Sequence, residues 1–317
     1  MKCAGGWLDP REFCAQTRVV IVAGKGGVGK TTVSAALATM ASGLGLSTLV
    51  VEIEGKHGLA AAFGADPLAY GDQVLAPGVR ARTLTPDEAL LEYLDEHGLT
   101  RISKRLTRSG TIDVVATAAP GIKDILLLGK VKQLELRKAA DLIVLDAPAA
   151  GHAVTFLLSA RSLLDTVSVG PIRQQAEDVL TMLTDPARCR VLLVTLPEET
   201  PVNEVVETAF TLEDKVGIDL GPVVVNGLYP VLEGLDVDPE QAAAEAGVGL
   251  RPGEAEALRQ AARFRSARQA LQAEQVDRLA SALPLPQLRL PALFTSEVGP
   301  TDLAVLARAL EASVSGL

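Results

Sequence analysis

Residues 24–31 read GKGGVGKT and satisfy the pattern G-x-x-x-x-G-K-[ST] in full. No other eight residues restrict the fold as strongly, because this pattern works only where a strand ends and a helix begins. Its glycines let backbone N–H groups come close to an anion, and the following helix offers its positive end to the same charge. The flanks meet the requirement. Thr17–Ala23 (TRVVIVA) is a short apolar run that reads as a buried parallel strand, and residues 30–42 read as a helix.

The same apolar-run pattern recurs at 46–53 (LSTLVVEI), 141–147 (DLIVLDA), 190–195 (RVLLVT) and 221–225 (GPVVV), with helical patterns between. Strands that alternate with helices imply crossover connections and a parallel sheet covered on both faces. The fold class is therefore α/β, a phosphate-loop NTPase with a largely parallel central sheet flanked by helices. The second and third runs lie about 85 residues apart, too far for one crossover. Residues 86–140 read as mainly helical with a break at Pro120-Gly121, and are expected to form a helical insertion within a single domain of residues 1–317. Residues 239–282 read as a helix-rich solvated layer, 284–294 as a terminal strand and loop, and 300–313 as a final helix.

Composition narrows the function. Apolar residues make up 48% of the 317 and charged residues 22%, enough for a large core, while aromatics are only 3%. A net charge of −9 argues against a nucleic-acid partner, which draws on clustered Lys and Arg. The three cysteines form no C-x-x-C pair and fit a reducing cytoplasm. The start, MKCAGGWLDPREFC, lacks the continuous apolar stretch of a secretory leader. No run of about 18 apolar residues suggests an integral membrane segment. A cytoplasmic location is expected.

Within the loop, Gly24, Gly26, Gly27, Val28, Gly29 and Thr32 would surround the phosphates of ATP, Lys30 would neutralise the β- and γ-phosphates, and the Thr31 hydroxyl would ligate Mg²⁺. Asp146, at the end of the third apolar run, stands where a second magnesium-holding group is needed, although an Asp at a strand end can also be a helix cap. Asn226 closes the fifth run. It can read the edge of an adenine, or simply begin the Asn-Gly turn it forms with Gly227.

Lys25 adds a second lysine inside the glycines. The form K-G-G-x-G-K-T resembles the deviant loop of the dimeric arsenite-pump and tail-anchored-protein-targeting ATPases, the ArsA-like family. Residues 146–152 (DAPAAGH) resemble that family's switch II motif D-T-A-P-T-G-H at Asp146, Pro148, Gly151 and His152. Residues 54–63 (EGKHGLAAAF) resemble its switch I at His57, Leu59, Ala62 and Phe63. The resemblance touches nearly the whole chain. It implies a homodimer, or a heterodimer with a paralogue, in which Lys25 crosses to the partner's nucleotide; the other reading of Lys25 is a solvated lysine beside the loop. It also implies that Gly151 offers its N–H to the γ-phosphate, that Asn226 meets adenine, and that Glu54 stands where the family has a water-orienting aspartate. Glu54 is longer than Asp by one methylene, about 1.5 Å, and Gly55 replaces the family's proline, so slower hydrolysis is expected.

The family's specialised activities find less support. Three thiolates converging on As(III) are not suggested by Cys3, Cys14 and Cys189, and three methionines (Met1, Met40, Met182) do not make a methionine-rich client groove. Residues 111–134 carry more apolar side chains than one helical face needs, among them Val114, Val115, Ile125, Leu128 and Val131. They line a protein-client groove or dimer contact, or they pack on their own sheet. The functional expectation is an ATP-driven dimeric switch that binds a client or partner. The alternatives are a nucleotide-sensing scaffold with little hydrolysis and an anion-pump subunit.

Overall fold

The computed structural model describes residues 9–53, 58–96, 98, 101, 104, 121–148 and 150–317, with the backbone alone for 96 and 150–152. Its strands are β1 (Val19–Gly24), β2 (Thr48–Ile53), β3 (Gln73–Ala76), β4 (Val79–Leu84), β5 (Leu142–Asp146), β6 (Cys189–Thr195), β7 (Val223–Leu228) and β8 (Gln287–Pro291). They form one sheet in the order β3-β4-β2-β5-β1-β6-β7-β8. Every pairing is parallel except β3 with β4. The α/β, largely parallel reading holds, and the five apolar runs and the terminal strand each appear within a few residues of their expected bounds.

The described helices are α1 (Pro10–Ala15), α2 (Lys30–Gly43), α3 (Gly58–Ala62), α4 (Pro86–Glu96), α5 (Ile122–Leu136), α6 (Ala150–Thr166), α7 (Pro171–Thr184), α8 (Glu199–Val216), α9 (Pro239–Glu245), α10 (Glu254–Ala282) and α11 (Pro300–Ser315). Alternation along the strands sorts them into two layers. Val20 and Val22 of β1 face a core shared with α1, α2, α3 and α11. Val19, Ile21 and Ala23 face the opposite core, built with α5, α6, α7 and α8. With both faces covered, the central strands are buried along their whole length, which is why they read as unbroken apolar runs.

The strands β3 and β4 and the helix α1 were not anticipated. β3 and β4 form a hairpin around Pro77 and Gly78, and β4 pairs in parallel with β2 from Thr48↔Val79 to Ile53↔Leu84. The β4 sequence VRARTL buries Val79, Ala81 and Leu84 while Arg80 and Arg82 are only partly buried, with Arg80 paired to Asp72 at 2.7 Å. That is the period-2 signature of a half-covered strand, which a search for continuous apolar runs passes over. Helix α1 is capped by Asp9, whose carboxylate accepts from Glu12 N at 2.9 Å, and it buries Phe13 and Cys14.

Helix α5 settles part of the 111–134 question. Ile125, Leu126, Leu128 and Val131 are at most 2% exposed and belong to the core beneath the sheet, so these side chains pack at home. Val114 and Val115 lie outside the described residues. Among the described residues, no helix is long and apolar enough to cross a membrane.

β1 sits between β5 and β6, where the chain reverses its direction of travel across the sheet. In open α/β sheets, that switch point at the carboxyl ends of the strands is where ligands bind.

Candidate functional site

The loop between β1 and α2 stands at the switch point, and two of its glycines are required by their surroundings. A Cβ on Gly24 would lie 2.3 Å from Val194 O, because β1 and β6 are tightly paired there. Gly29 has φ +90°, and a Cβ on it would lie 2.3 Å from Asn226 Nδ2. Lys25, Gly26 and Gly27 are exposed, and nothing lies within 4 Å of a Cβ placed on Gly26 or Gly27. Val28 is 2% exposed and anchors the loop in the core. Gly29 caps α2 without any side-chain bond, so the first-turn N–H groups of α2 present their positive end at the loop.

Lys30 is 6% exposed, and its Nζ donates to Lys25 O at 2.9 Å, folding the side chain back over the loop. Thr31 Oγ1 donates to Asp146 Oδ2 at 2.7 Å, while Ser34 Oγ lies 3.5 Å from Asp146 Oδ1. Thr32 follows in the same turn and is partly buried. Asp146 is fully buried at the end of β5, in register with Val22 of β1. The fold thus brings together residues 115 positions apart in sequence. This pairing bears on the choice between helix cap and metal ligand, because the carboxylate faces the loop's hydroxyl.

A hydroxyl and a carboxylate in contact make a hard-oxygen donor pair. Mg²⁺ is typically held by one or two carboxylates together with phosphate oxygens and water, so this pair fits it. Among the described residues, no group of three or more His, Cys, Asp or Glu is placed to hold a metal ion. With phosphate oxygens and water added, the Thr31–Asp146 pair matches the hard-oxygen surroundings that Mg²⁺ takes.

Asn226 follows the buried part of β7, and its Nδ2 donates to Val28 O at 2.9 Å. One amide donor is therefore spent on holding the loop against β7, which leaves the carbonyl side free to accept from a base. Gly227, at φ +76°, lies within β7 where the register with β8 shifts, so the Asn-Gly pair makes an irregularity in the strand and not the turn its sequence suggested. Beyond it, Tyr229 and Phe294 approach with ring centroids 5.7 Å apart, and Arg265 lies 4.3 Å from the Tyr229 centroid. Phe294 is 79% exposed. This aromatic–guanidinium cluster sits where the Pro291–Phe294 loop leaves the sheet, and only long-range pairing of β7 with β8 brings it there.

Lys25 does not stand free in solvent. Its ammonium pairs with Glu204 of α8, a partner 179 positions away that no local pattern signals. A second residue missed from the sequence is Glu52. It is 1% exposed, in register with Asp146 on the adjacent strand, and on the same face as α2. A charged residue inside the run VVEI was the available signal. Glu54 and His57 lie outside the described residues; Gly151 falls in the first turn of α6, described by its backbone alone.

Burial separates the thiols. Cys14 packs in the core on the α2 side of the sheet and Cys189 in the core on the other. Desolvation pushes each thiol up to about 12.

Residues 17–169 match the family described as anion-transporting ATPase. The chain is 36% identical over 226 residues to a protein named ATPase BagA from Mycobacterium tuberculosis, a match covering 67% of this chain and 66% of that one. It is 29% identical over 239 residues to a putative arsenical pump-driving ATPase from Halobacterium salinarum, covering 68% of this chain and 36% of the relative. With the ATPase get3 of Schizosaccharomyces japonicus it shares 31% over 142 residues, 44% of this chain and 42% of the other. The chain thus spans 66% of the length of the first of these relatives.

Proposed function

Through residues 17–169 the chain belongs to the ArsA-like anion-transporting ATPases, and from that premise we propose that it is a Mg-ATP-dependent dimeric ATPase whose closure binds and releases a protein client or partner. The whole chain is read as one phosphate-loop domain with an insertion at about 86–140. The observation that carries the proposal is the contact of Thr31 with the buried Asp146 beneath an uncapped helix start. A glycine-rich turn with no ligand to serve has no need of a hydroxyl–carboxylate pair buried at its base.

In this reading the backbone N–H groups of residues 26–30 hold the β-phosphate, and Lys30 leaves Lys25 O to reach the β- and γ-phosphates. Thr31 and Asp146 hold Mg²⁺, which when bound neutralises charge building on the transferring phosphoryl group. Asn226 accepts from the exocyclic amine of adenine, and Phe294 and Tyr229 flank the base. Gly151, at the start of α6, turns its N–H to the γ-phosphate. Glu54 orients the attacking water, and Lys25 brings positive charge to the partner's nucleotide.

An arsenite-binding variant of this function has less support. The two described thiols lie on opposite faces of the sheet and are held protonated by burial, whereas As(III) needs converging thiolates. The test of hydrolysis is single-turnover cleavage of ATP by wild type and Glu54→Gln. A rate drop of about 10²-fold or more is expected for loss of the base. An unchanged rate would remove Glu54 as the base, and a wild type that does not cleave ATP would leave a nucleotide-sensing scaffold as the better reading.

A further inference from the structure

The two lysines of the loop are committed differently. Lys30 bonds within the loop, to the carbonyl of Lys25, whereas the ammonium of Lys25 is engaged by a carboxylate on another helix. The Lys25 side chain is 51% exposed and that of Glu204 is 25% exposed. Glu204 also lines, with Gly24, Lys25, Pro201 and Glu207, a groove of about 210 Å³ between the loop and α8. Two carboxylates of α8 therefore border the space into which the lysine extends.

Of the two partners, Glu204 is fixed. Its helix buries Val202, Val205 and Ala209 in the core. The first turn of that helix is tied to α10, where Arg268 pairs with Glu198 at 3.3 Å and Arg278 bonds to Asn203. Lys25 is the movable member, a long side chain on an exposed glycine-rich turn.

We infer that Glu204 is a positioning residue for Lys25: it holds the ammonium beside its own subunit, and dimer closure exchanges this carboxylate for the phosphates of the partner's nucleotide. This rests on the reading of Lys25 as the lysine that acts in trans. An ammonium gives its full charge to one close anion at a time, so the bond to Glu204 opposes closure by its own strength. A partly exposed pair of this kind is worth roughly a factor of 1.4 to 5 in an equilibrium constant. A symmetric dimer breaks two such pairs, so the opposition amounts to roughly 2- to 25-fold in the dimer dissociation constant.

The experiment is sedimentation velocity of the full chain with Mg²⁺ and a non-hydrolysable ATP analogue, on wild type, Glu204→Gln, Glu204→Asp, Lys25→Ala and the Lys25→Ala/Glu204→Gln double variant. Glu204→Gln should tighten the dimer by roughly 2- to 25-fold, and Glu204→Asp should return it toward wild type. In the Lys25→Ala background, Glu204→Gln should change nothing. If wild type dimerises but Glu204→Gln does not tighten it, the inference is overturned while the dimer reading survives. Equal tightening in both backgrounds would also overturn it, since Glu204 would then act on the partner without Lys25. A wild type that stays monomeric with the analogue would remove the dimer reading and the inference together.

Discussion

Replacing Thr31 by Val keeps the shape of the side chain and removes only the hydroxyl. The hydroxyl donates to Asp146 at 2.7 Å, and the carboxylate is fully buried. A hydrogen bond to a charged, buried acceptor is worth about 1.5–3 kcal/mol. Ser34 Oγ, at 3.5 Å, is at the limit of bonding distance and compensates little. Unfolding entropy of roughly 2.1 cal/mol/K per residue amounts to about 0.67 kcal/mol/K over 317 residues. Thr31→Val should therefore lower the melting temperature of the ligand-free protein by about 2–4 °C. It should also remove the gain in affinity for a fluorescent ATP analogue that Mg²⁺ provides, while affinity in EDTA stays within about twofold of wild type, because Lys30 and the loop backbone are untouched. Thr31→Ser, which retains the hydroxyl, should recover both properties. Calorimetry and fluorescence anisotropy with and without Mg²⁺ read the two effects separately. A variant that melts with wild type and keeps its Mg²⁺ dependence would refute the assignment of Thr31 and Asp146 to one site.

Leu128→Ala on α5 should destabilise the protein by about 2–5 kcal/mol in a urea titration, because the side chain is fully buried and its loss leaves a cavity; a loss under about 0.5 kcal/mol, the range of a surface site, would return this helix to the candidate interaction surfaces. The thiols of Cys14 and Cys189 are raised from 9.0 to about 12 by burial, so the unfolded chain gives up these protons first as pH rises. Their stability contribution is fully present below pH 9 and is lost between pH 9 and 12, and a Cys14→Ala/Cys189→Ala variant should show a shallower decline across that window in a denaturant series.

The glycine-rich loop was legible because its pattern is local. Gly24 to Thr31 needs a strand before it and a helix after it, and both flanks announce themselves in consecutive residues. Asp146 was legible for a related reason, as a carboxylate ending a fully apolar run. β3 and β4 were harder to read, since Arg80 and Arg82 interrupt the run and the strand declares itself only by alternation. The excess apolar residues of 122–136 had no unique reading until α5 was seen to lie against the sheet, since a helix that is apolar on more than one side looks the same whether its cover is the chain itself or a partner.

The sequence alone determined that a glycine-rich loop would join a strand to a helix, that a parallel sheet would carry it, and that the loop holds a second lysine. Those properties follow from near neighbours along the chain, where turn chemistry and apolar periodicity are written directly. The tertiary structure decided what those groups meet: Thr31 against Asp146, Asn226 against the loop carbonyl of Val28, Glu52 beside Asp146, and Lys25 against Glu204. Each of these partners comes from a different strand or helix, joined only by the order in which eight strands assemble. Packing of the whole sheet, and no local preference, sets that order, so the extra lysine in the loop is visible in the sequence while the carboxylate that holds it is not.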